Sequence, residues 1–297
     1  MKILITGATG FIGTQLIQFL KRNLHDLIIL SRNPEQVSDS SILAIKSLNE
    51  LEDKKSIDVI VNLAGAPIDK RWTQSYKNTL VDSRVHITKD IVDWIALQET
   101  KPKLLISASA IGYYGAQGTE PLDEESDAHD EFTHQLCQQW ETTALKAQEL
   151  GVRTCITRFG VVLGKNGGAL KKMLPTFRVG LGGVLGDGKQ IFSWVHIDDV
   201  CRAIIFLIEH TELSGVFNVA APDPDVTTNK KLTQKIGRVL QRPSFFVIPG
   251  ALIKLIYGEM GDRLLLHGQN VIPRRLKKAG FKFSYPLLSP ALESIIK

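Results

Sequence analysis

The chain has 297 residues, of which 43% are hydrophobic and 23% are charged, and its formal net charge is +5. This is an ordinary globular composition, long enough for one large domain or a domain with a smaller lobe. Because the basic excess is modest and no nucleic-acid module is recognisable, we do not expect nucleic acid as a partner.

Five short apolar segments predict β-strands in the first 165 residues. They lack strict alternation of polar and apolar residues, which is typical of strands buried on both faces. Helical patterns lie between them at 12–22, 73–98 and 131–150. This alternation predicts βαβ crossovers, and therefore an α/β fold with a doubly wound parallel sheet of the Rossmann type. The segments are KILIT (2–6), DLIIL (26–30), DVIVNLA (58–64), KLLISAS (103–109) and RTCITRFGVV (153–162).

The pattern changes at about residue 165. Residues 165–189 are rich in glycine and predict loops around one short helix. The segment 192–210 predicts a strand and then a helix with Asp198 or Asp199 as its N-cap, and GVFNVA (215–220) predicts another strand. We therefore expect residues 1–165 to form the nucleotide-binding core, and residues 166–297 to complete the sheet and form a smaller C-terminal lobe.

The cysteines and the N-terminal residues indicate in which cellular compartment the protein is expected. Cys137, Cys155 and Cys201 form no CxxC pair, so a reducing compartment is predicted. The apolar run 2–6 is too short for a signal peptide, and no stretch approaches the length of a membrane span. We expect a cytoplasmic protein without a membrane partner. An acidic run at 120–131 is interpreted as a solvated loop.

The segment TGATGFIG, residues 6–13, follows the first predicted strand and precedes the first predicted helix. Glycines there permit a tight turn and let backbone N–H groups approach a pyrophosphate, and the helix N-terminus adds its dipole. A plain glycine-rich turn is the alternative, but this order of strand, loop and helix favours nucleotide binding. The predicted contacts are Gly7, Thr9, Gly10, Phe11, Ile12 and Gly13.

The two residues that directly follow the second predicted strand indicate which cofactor is bound. An NAD-selective site usually places an acidic residue there to hold the ribose 2′-OH. This chain has Ser31 and Arg32 instead, and a guanidinium matches the charge and geometry of a 2′-phosphate. We therefore predict NADP rather than NAD, the alternative being that Arg32 is an ordinary surface residue.

Further cofactor contacts are predicted at other strand ends. In NLAG the small residues after a strand suit a flat ligand, which gives Leu63, Ala64 and Gly65 as contacts; a simple turn is the alternative. Arg84, early in a long helical pattern, is predicted either to reach a cofactor phosphate or to face solvent. Val162 is one more predicted contact.

The motifs together resemble a known family. TGATGFIG, NLAG, SASAIGYYG and WVHIDDV occur in the order typical of the extended short-chain dehydrogenase/reductases, the NAD(P)-dependent epimerase/dehydratase superfamily. NLAGAPIDKRW, FTHQLCQQWE and RFGVVLGKNGGAL resemble the SDR39U1-type (YfcH-like) epimerase family, and so does a C-terminal segment from about 248 to 295. The resemblance spans nearly the whole chain and implies an NADP-binding Rossmann fold. It supplies no established reaction, because this group is atypical.

The catalytic pair of the superfamily is missing. Active members carry Tyr-x-x-x-Lys, with a glutamate four residues after the lysine. Aligning that glutamate with Glu141 places Thr133 at the tyrosine position and Cys137 at the lysine position. A threonine hydroxyl is too weak an acid for proton transfer at neutral pH, and cysteine lacks the fixed charge of lysine. The ordinary mechanism of the superfamily is therefore not expected.

Other groups remain as candidates for the chemistry. Ser109 occupies the position of the hydroxyl that orients a substrate carbonyl, with a structural role as the alternative. Tyr113 or Tyr114, in a glycine-bounded loop, could replace the missing acid or could be packing residues. His134 neighbours the vacated tyrosine position. His196 and Trp140 are interpreted as structural, and no metal-ligand spacing occurs.

The leading prediction is an NADP(H)-binding oxidoreductase-like protein with a small-molecule substrate, with Ser109 and Tyr113 as its catalytic candidates. One alternative is a non-enzymatic NADP(H)-binding module that senses redox state or docks a partner. A nucleotide-sugar epimerase is the other, ranked lower because that chemistry needs the tyrosine. We expect a monomer or a homodimer.

Overall fold

The computed structural model of the chain describes residues 1–23, 25–37, 39–51 and 56–297. Its strands, in chain order, are β1 (Lys2–Thr6), β2 (Asp26–Leu30), β3 (Leu43–Ile45), β4 (Val59–Asn62), β5 (Leu104–Ala110), β6 (Pro121–Leu122), β7 (Arg153–Phe159), β8 (Val161–Gly164), β9 (Gly183–Leu185), β10 (Trp194–His196), β11 (Gly215–Val219), β12 (Phe246–Ile248) and β13 (Asn270–Val271).

The helices are α1 (Phe11–Arg22), α2 (Gln74–Val81), α3 (Ile87–Leu97), α4 (Phe132–Leu145), α5 (Gly168–Arg178), α6 (Ile197–Glu209), α7 (Asn229–Leu240), α8 (Gly250–Tyr257), α9 (Arg274–Lys278) and α10 (Leu288–Ile296). A π-helical turn, Asp82–His86, joins α2 to α3, and a second one, Gly261–Leu266, follows α8. Short 3₁₀ segments are Pro34–Gln36, Leu48–Glu50, Ile111–Tyr114 and Lys146–Leu150.

Seven strands form one parallel sheet in the order β11-β7-β5-β4-β1-β2-β3. The order reverses between β1 and β4, which is the switch point at which such sheets bind ligands. The predicted Rossmann-type fold is therefore confirmed. The last strand of the sheet, β11, comes from the C-terminal part of the chain.

Alternate residues of the strands pack on opposite faces of the sheet. Ile3 and Ile5 belong to a cluster that includes Leu16 of α1 and Leu207 of α6. Leu4 lies in a second cluster with side chains of α3 and α4. Both faces are covered by helices, and for this reason the strand sequences show no polar alternation.

The C-terminal lobe has a core of its own. Leu170 of α5, Trp194 of β10, Leu232 of α7 and Leu292 of α10 are buried together in a third cluster. Three two-stranded parallel pairs, β10–β8, β12–β9 and β13–β6, connect this lobe to itself and to the loop after β5. The lobe therefore closes over the carboxyl ends of β5 and β7.

The structure differs from the sequence predictions at several places. The apolar segment 153–162 is two strands, because the chain leaves the sheet at Gly160 and Val161 N donates to Ser193 O at 2.9 Å. The cap of α6 is neither predicted aspartate: His196 is the N-cap, and its Nδ1 accepts from Asp198 N at 3.1 Å. Asp199 instead accepts backbone N–H groups of residues 284 and 285.

The interpretation of the acidic run as a solvated loop is wrong for part of it. Glu124 is half-buried and accepts hydrogen bonds from the backbone N–H groups of Asn218 and Arg275. Asp123 pairs with Arg274 at 2.8 Å. The acidic run at 120–131 and the basic run at 273–278 therefore join the C-terminal segment to the loop after β5.

The described residues lack two kinds of feature. No helix there is long and apolar enough to cross a membrane. Within the same ranges, no cluster of three or more His, Cys, Asp or Glu side chains could hold a metal ion.

Candidate functional site

The loop between β1 and α1 is built on glycines that the backbone requires. Gly7 has a φ of +66°, and a Cβ added there would lie 2.5 Å from the carbonyl oxygen of Leu63. A Cβ on Gly13 would lie 2.4 Å from the carbonyl oxygen of Gly7. The first glycine therefore permits the turn next to β4, and the last permits close packing of the helix on the loop.

The N-terminus of α1 is free to bind an anion. Its N-cap, Gly10, supplies no side-chain hydrogen bond, and the first helical turn holds no acidic residue. Gly10 and Thr9 are exposed at the tip of the loop. Unsatisfied N–H groups at a helix N-terminus, with the positive end of the helix dipole, are a ready phosphate site.

Phe11 links this loop to the C-terminal lobe. Its ring lies where a Cβ on Gly164, Gly167 or Gly168 would fall, at distances of 2.7, 2.3 and 2.8 Å. The glycines of the segment after β8 therefore allow the phenyl ring to pack against the backbone. Ile12 is half-buried beside it, and Val162, also half-buried, lies in the paired strand β8.

Polar side chains hold the carboxyl ends of β1 and β4 together. Thr6 donates to Asn62 Oδ1 at 2.6 Å, and Ala64 N donates to Thr6 Oγ1 at 3.2 Å. Asn62 Nδ2 and Trp140 Nε1 both donate to Thr88 Oγ1, at 2.8 and 3.0 Å. These contacts fix the position of Leu63, Ala64 and Gly65, all of which retain some exposure.

Arg32 is exposed at the end of β2, and within the described ranges no carboxylate pairs with its guanidinium. Ser31 is half-buried and accepts from Asn33 N at 3.2 Å. The guanidinium is therefore available to a ligand beside the glycine loop, because β2 neighbours β1 in the sheet.

Arg84 lies in the π-helical turn, under the loop that follows β4. Its Nη2 donates to Ala66 O at 2.9 Å and its Nη1 to Leu80 O at 3.2 Å, while Trp140 packs 5.4 Å from the guanidinium carbon. Burial lowers its pKa. The guanidinium is placed against this loop rather than in solvent, and contact with a cofactor stays a prediction.

A buried ion pair lies beside Ser109, one of the catalytic candidates predicted from the sequence. Arg158 of β7 donates from Nε and Nη2 to the two oxygens of Glu141, at 2.9 and 2.8 Å. The hydroxyl of Ser109 donates to the same carboxylate at 2.6 Å. Burial lowers the pKa of Arg158, but the hydrogen bonds and charge of Glu141 outweigh it and the net shift is upward. Ser109 is 2% exposed.

Tyr114 belongs to this buried network. Its hydroxyl donates to Asn218 Oδ1 at 2.7 Å and accepts from Arg158 Nη1 at 3.0 Å. The side chain is fully buried, and burial raises the pKa of the phenol to about 12. These contacts give Tyr114 a structural role in this arrangement.

Tyr113 is half-buried, and its hydroxyl oxygen is not fully buried. The guanidinium carbon of Arg158 lies 3.3 Å from the centre of its ring, and His134 packs edge-on at 5.0 Å. His134 Nδ1 donates to the backbone oxygen of Tyr113 at 2.6 Å. Among the described residues the Tyr113 hydroxyl has no hydrogen-bond partner, and its oxygen is not one of the fully buried atoms without partners.

Thr133 and Cys137 form part of the wall of the site. Thr133 is 6% exposed and donates to Glu131 Oε1 at 2.8 Å. Cys137 donates from Sγ to Ala110 O at 3.7 Å, and burial together with the nearby Glu141 raises the pKa of its thiol to about 11. Cys137 is therefore protonated at neutral pH and supplies neither charge nor nucleophile.

The C-terminal lobe closes the site from above. Gln269 donates to Ile111 O at 2.8 Å, and Arg263 pairs with Glu131 at 3.1 Å.

His196, which the sequence predicted as structural, accepts a backbone N–H at Nδ1 and stacks on Tyr285 at 3.9 Å. Burial lowers its pKa.

Sequence reasoning did not single out Arg158 or Asn218, and it used Glu141 only to align the motif. The sequence did contain a signal for Arg158, because an arginine inside a strand that is buried along its length needs a partner for its charge. The sequence could not identify that partner, because Glu141 lies on another element.

Sequence and structure comparisons relate the chain to known proteins. Residues 3–220 match the NAD dependent epimerase/dehydratase family, and residues 248–295 match a domain of unknown function, DUF1731. A chloroplastic epimerase family protein SDR39U1 homolog of Arabidopsis thaliana is 39% identical, covering 100% of this chain and 87% of the relative. Epimerase family protein SH2119 of Staphylococcus haemolyticus is 37% identical, with 99% of each chain covered.

A solved structure is similar along the full length. Human epimerase family protein SDR39U1, crystallised with NADPH, has a TM-score of 0.89 and 33% identity, and the match covers 99% of each chain.

Proposed function

We propose that this chain, which belongs to the NAD-dependent epimerase/dehydratase family, is an NADP(H)-dependent oxidoreductase that moves hydride to or from a small carbonyl or alcohol. The observation that carries the proposal is the exposed Arg32 beside a glycine loop whose helix N-terminus has no capping side chain. Together they offer separate sites for a 2′-phosphate and a pyrophosphate.

The residues of the glycine loop fit such a cofactor. Gly10 leaves space above the N-terminus of α1, and the strand ends of β4 and β5 provide a floor of small residues. The human relative was crystallised with NADPH, which supports NADP(H) over NAD(H) for this chain.

Calorimetric titration with NADPH and NADH tests the cofactor. A charge-assisted phosphate contact contributes about 1.5–3 kcal/mol, so we expect NADPH to bind roughly tenfold to a hundredfold more tightly. Arg32→Asp should remove this preference. Arg22→Asp, which changes an exposed arginine at the other end of α1, is the matched control and should keep it. Equal affinities of the unchanged protein for the two nucleotides would contradict the proposal.

For catalysis we propose Tyr113 as the proton donor. Its hydroxyl is not fully buried and has no hydrogen-bond partner among the described residues, whereas the Ser109 proton is committed to Glu141 and Tyr114 is buried. The superfamily lysine provides a permanent positive charge, and Arg158 supplies one here, held by Glu141 against the ring of Tyr113. A fixed cation near a developing phenolate stabilises it.

NADPH, when bound, would supply a hydride for reduction of the substrate carbonyl and become NADP⁺. Tyr113 would donate its phenolic proton to the carbonyl oxygen, giving an alcohol, and the resulting phenolate would be reprotonated from water. Thr133 and Cys137 hold the wall of the site through their contacts with Glu131 and the end of β5.

A comparison of two variants tests this assignment, with NADPH oxidation against a panel of carbonyl compounds as the assay. Tyr113→Phe should lower turnover by about 10²–10⁴-fold, as expected for the loss of a general acid. Thr133→Ala, the matched control one element away, should stay within about tenfold. NADPH affinity should be unchanged in both, and a severe loss from Thr133→Ala alone would overturn the assignment.

A second candidate is a non-enzymatic NADP(H)-binding module. The observation in its favour is that Thr133 and Cys137 replace the proton-transfer pair and are buried. It predicts tight NADPH binding without turnover on any carbonyl and without an effect of Tyr113→Phe. A nucleotide-sugar epimerase is a third and weaker candidate, because it needs a base at the vacated tyrosine position.

The cysteines support a proposal on location. Cys137, Cys155 and Cys201 are free and buried, which suits a reducing compartment such as the cytoplasm.

A further inference from the structure

Basic charge is concentrated in two segments of the C-terminal lobe. Residues 164–186 and 226–258 contain ten of the chain's 36 Lys and Arg residues and none of its 31 Asp and Glu residues. The rest of the chain therefore has an acidic excess of five. The proposed function uses none of these ten side chains.

Contacts in the structure join the two segments into one surface. Strands β9 and β12 pair in parallel, with Gly183 opposite Phe246. A Cβ on Gly180 would lie 3.3 Å from Pro243. Arg238 and Arg242 line one surface groove at the end of α7. We call the resulting surface the basic apolar face; its residues are Arg178, Val179, Leu181, Arg238, Arg242, Phe245, Phe246 and Val247.

Large apolar side chains are exposed on this face. Phe245 is 75% exposed, Val179 is 70%, Val247 is 64% and Leu181 is 61%. The following helix, α8, is apolar and buries only Ile253 fully, while Leu255 is 74% exposed. Of the fifteen large apolar side chains that are exposed in the described ranges, nine lie in these two segments. A cluster of this kind marks an interaction surface rather than scattered surface residues.

The arginines of the face have no acidic partner. Arg178, Arg238 and Arg242 are exposed, and in the part of the chain that the structure describes no carboxylate lies within 4.0 Å of their guanidinium groups. Arg178 and Arg238 lie in the last turns of α5 and α7, where their positive charges interact favourably with the negative end of each helix dipole. That explains two charges, but it explains neither Arg242 nor the exposed apolar side chains.

The chemistry of the face selects its partner. A second copy of the same face would bring like charges together, which disfavours a symmetric dimer here. A nucleic acid would satisfy the charge but not the exposed aliphatic side chains, because its outer surface is phosphate and sugar. An anionic bilayer satisfies both, since its headgroups attract basic residues and its acyl boundary accepts apolar side chains.

We propose that the basic apolar face binds an anionic lipid surface, so that the protein associates peripherally with membranes. This replaces, for a surface contact, the expectation from the sequence of no membrane partner, and it requires no spanning helix. The site of NADP(H) binding lies on other elements, so the lipid contact is independent of the proposed reaction.

Vesicle flotation tests the proposal with the full chain. Vesicles of equal parts phosphatidylglycerol and phosphatidylcholine should carry the protein upward at about 0.1 M salt, and pure phosphatidylcholine vesicles should bind it far more weakly. Because exposed charges are screened, raising the salt to about 0.5 M should weaken the binding. No flotation with anionic vesicles, or equal flotation with both kinds, overturns the proposal.

Matched variants locate the contact. Arg238→Gln with Arg242→Gln should weaken binding about 25-fold, because each basic residue near an anionic surface contributes roughly fivefold. Phe245→Ser with Val247→Ser should also weaken it, by removing apolar insertion.

Control changes lie outside the face. Lys277→Gln with Lys278→Gln removes two exposed charges, and Leu97→Ser removes an 83% exposed leucine. Both should leave binding unchanged. All variants should bind NADPH like the unchanged protein, which shows that they are folded. Should the controls weaken flotation as much as the face variants, the proposal fails.

A further arm separates lipid from other polyanions. A single-stranded oligonucleotide should bind less well than the vesicles, and the Phe245→Ser and Val247→Ser changes should not affect its binding. If the oligonucleotide binds more tightly and the serine variants leave vesicle binding intact, the face is a general polyanion site and the proposal is overturned.

Discussion

Replacing Glu141 with glutamine removes the carboxylate charge that faces the buried guanidinium of Arg158. The glutamine has almost the same shape, so the perturbation is electrostatic. In the unchanged protein the carboxylate accepts two hydrogen bonds from Arg158 and one from Ser109, between 2.6 and 2.9 Å. Glu141 is 5% exposed and Arg158 is 3% exposed, so water cannot replace the lost charge.

The magnitude follows from this burial. Breaking a buried pair by removing one partner costs about 3–5 kcal/mol, because the other charge stays in a medium that solvates it poorly. We expect Glu141→Gln to lower the free energy of unfolding by that amount. The exposed pair Lys89–Asp93 on α3 is the matched control, and Asp93→Asn should leave the free energy of unfolding nearly unchanged.

Urea unfolding followed by tryptophan fluorescence measures both variants. The double variant Glu141→Leu, Arg158→Met removes both charges and should lose less stability than the sum of its single changes, by at least about 2 kcal/mol. A loss below about 1 kcal/mol for Glu141→Gln, or additive single and double variants, would refute the reasoning, since the pair would then not be electrostatically buried.

Four further predictions concern the glycine loop, Tyr114 and Cys137. Gly10→Val should weaken NADPH binding by roughly a hundredfold in calorimetry without unfolding the protein, because its side chain would occupy the space of the phosphates; unchanged affinity would exclude the loop as the site. Gly7→Ala should lower the unfolding free energy by more than about 1 kcal/mol, since φ is +66° and the Cβ would meet Leu63 O at 2.5 Å; a neutral result in urea unfolding would count against that geometry. The folded protein keeps the Tyr114 proton up to a pKa of about 12 and the unfolded chain loses it near 10, so stability should fall as the pH rises between these values, and Tyr114→Phe should show a shallower slope. At pH 8 the thiol of Cys137, with its pKa of about 11, should react with a disulfide reagent at below about 1% of its rate in the unfolded chain; fast native labelling would show that the thiol is accessible.

The sheet could be predicted because its signals are local. The strands β1, β2, β4 and β5 and the helix α1 agree with the sequence to within two residues at each end, since apolar runs, glycine turns and helical periodicity are read from consecutive residues. The split at Gly160 could not be read in this way. The segment stays apolar through it, and only the pairing of β8 with β10 distinguishes the two strands.

The conformation of the glycine loop was also predictable, since it depends on glycines within one short stretch of sequence. The buried network of Ser109, Glu141 and Arg158 was not, because its groups meet across the sheet. Ser109 and Glu141 are 32 residues apart, and Tyr114 and Asn218 are 104 apart. No local pattern states that they are partners.

These long-range contacts also change what the missing residues mean. At Cys137 the sequence indicates only that a lysine charge is lost from the site. In the structure a guanidinium from β7 lies beside Tyr113, and Glu141 holds it in place. A cation is therefore still present beside Tyr113, but it comes from a strand rather than from α4. The loss of the Tyr-x-x-x-Lys pair is therefore weaker evidence against catalysis than the sequence alone indicates. Glu141, which in the sequence only aligns the motif, holds the charge of Arg158 against the ring of Tyr113.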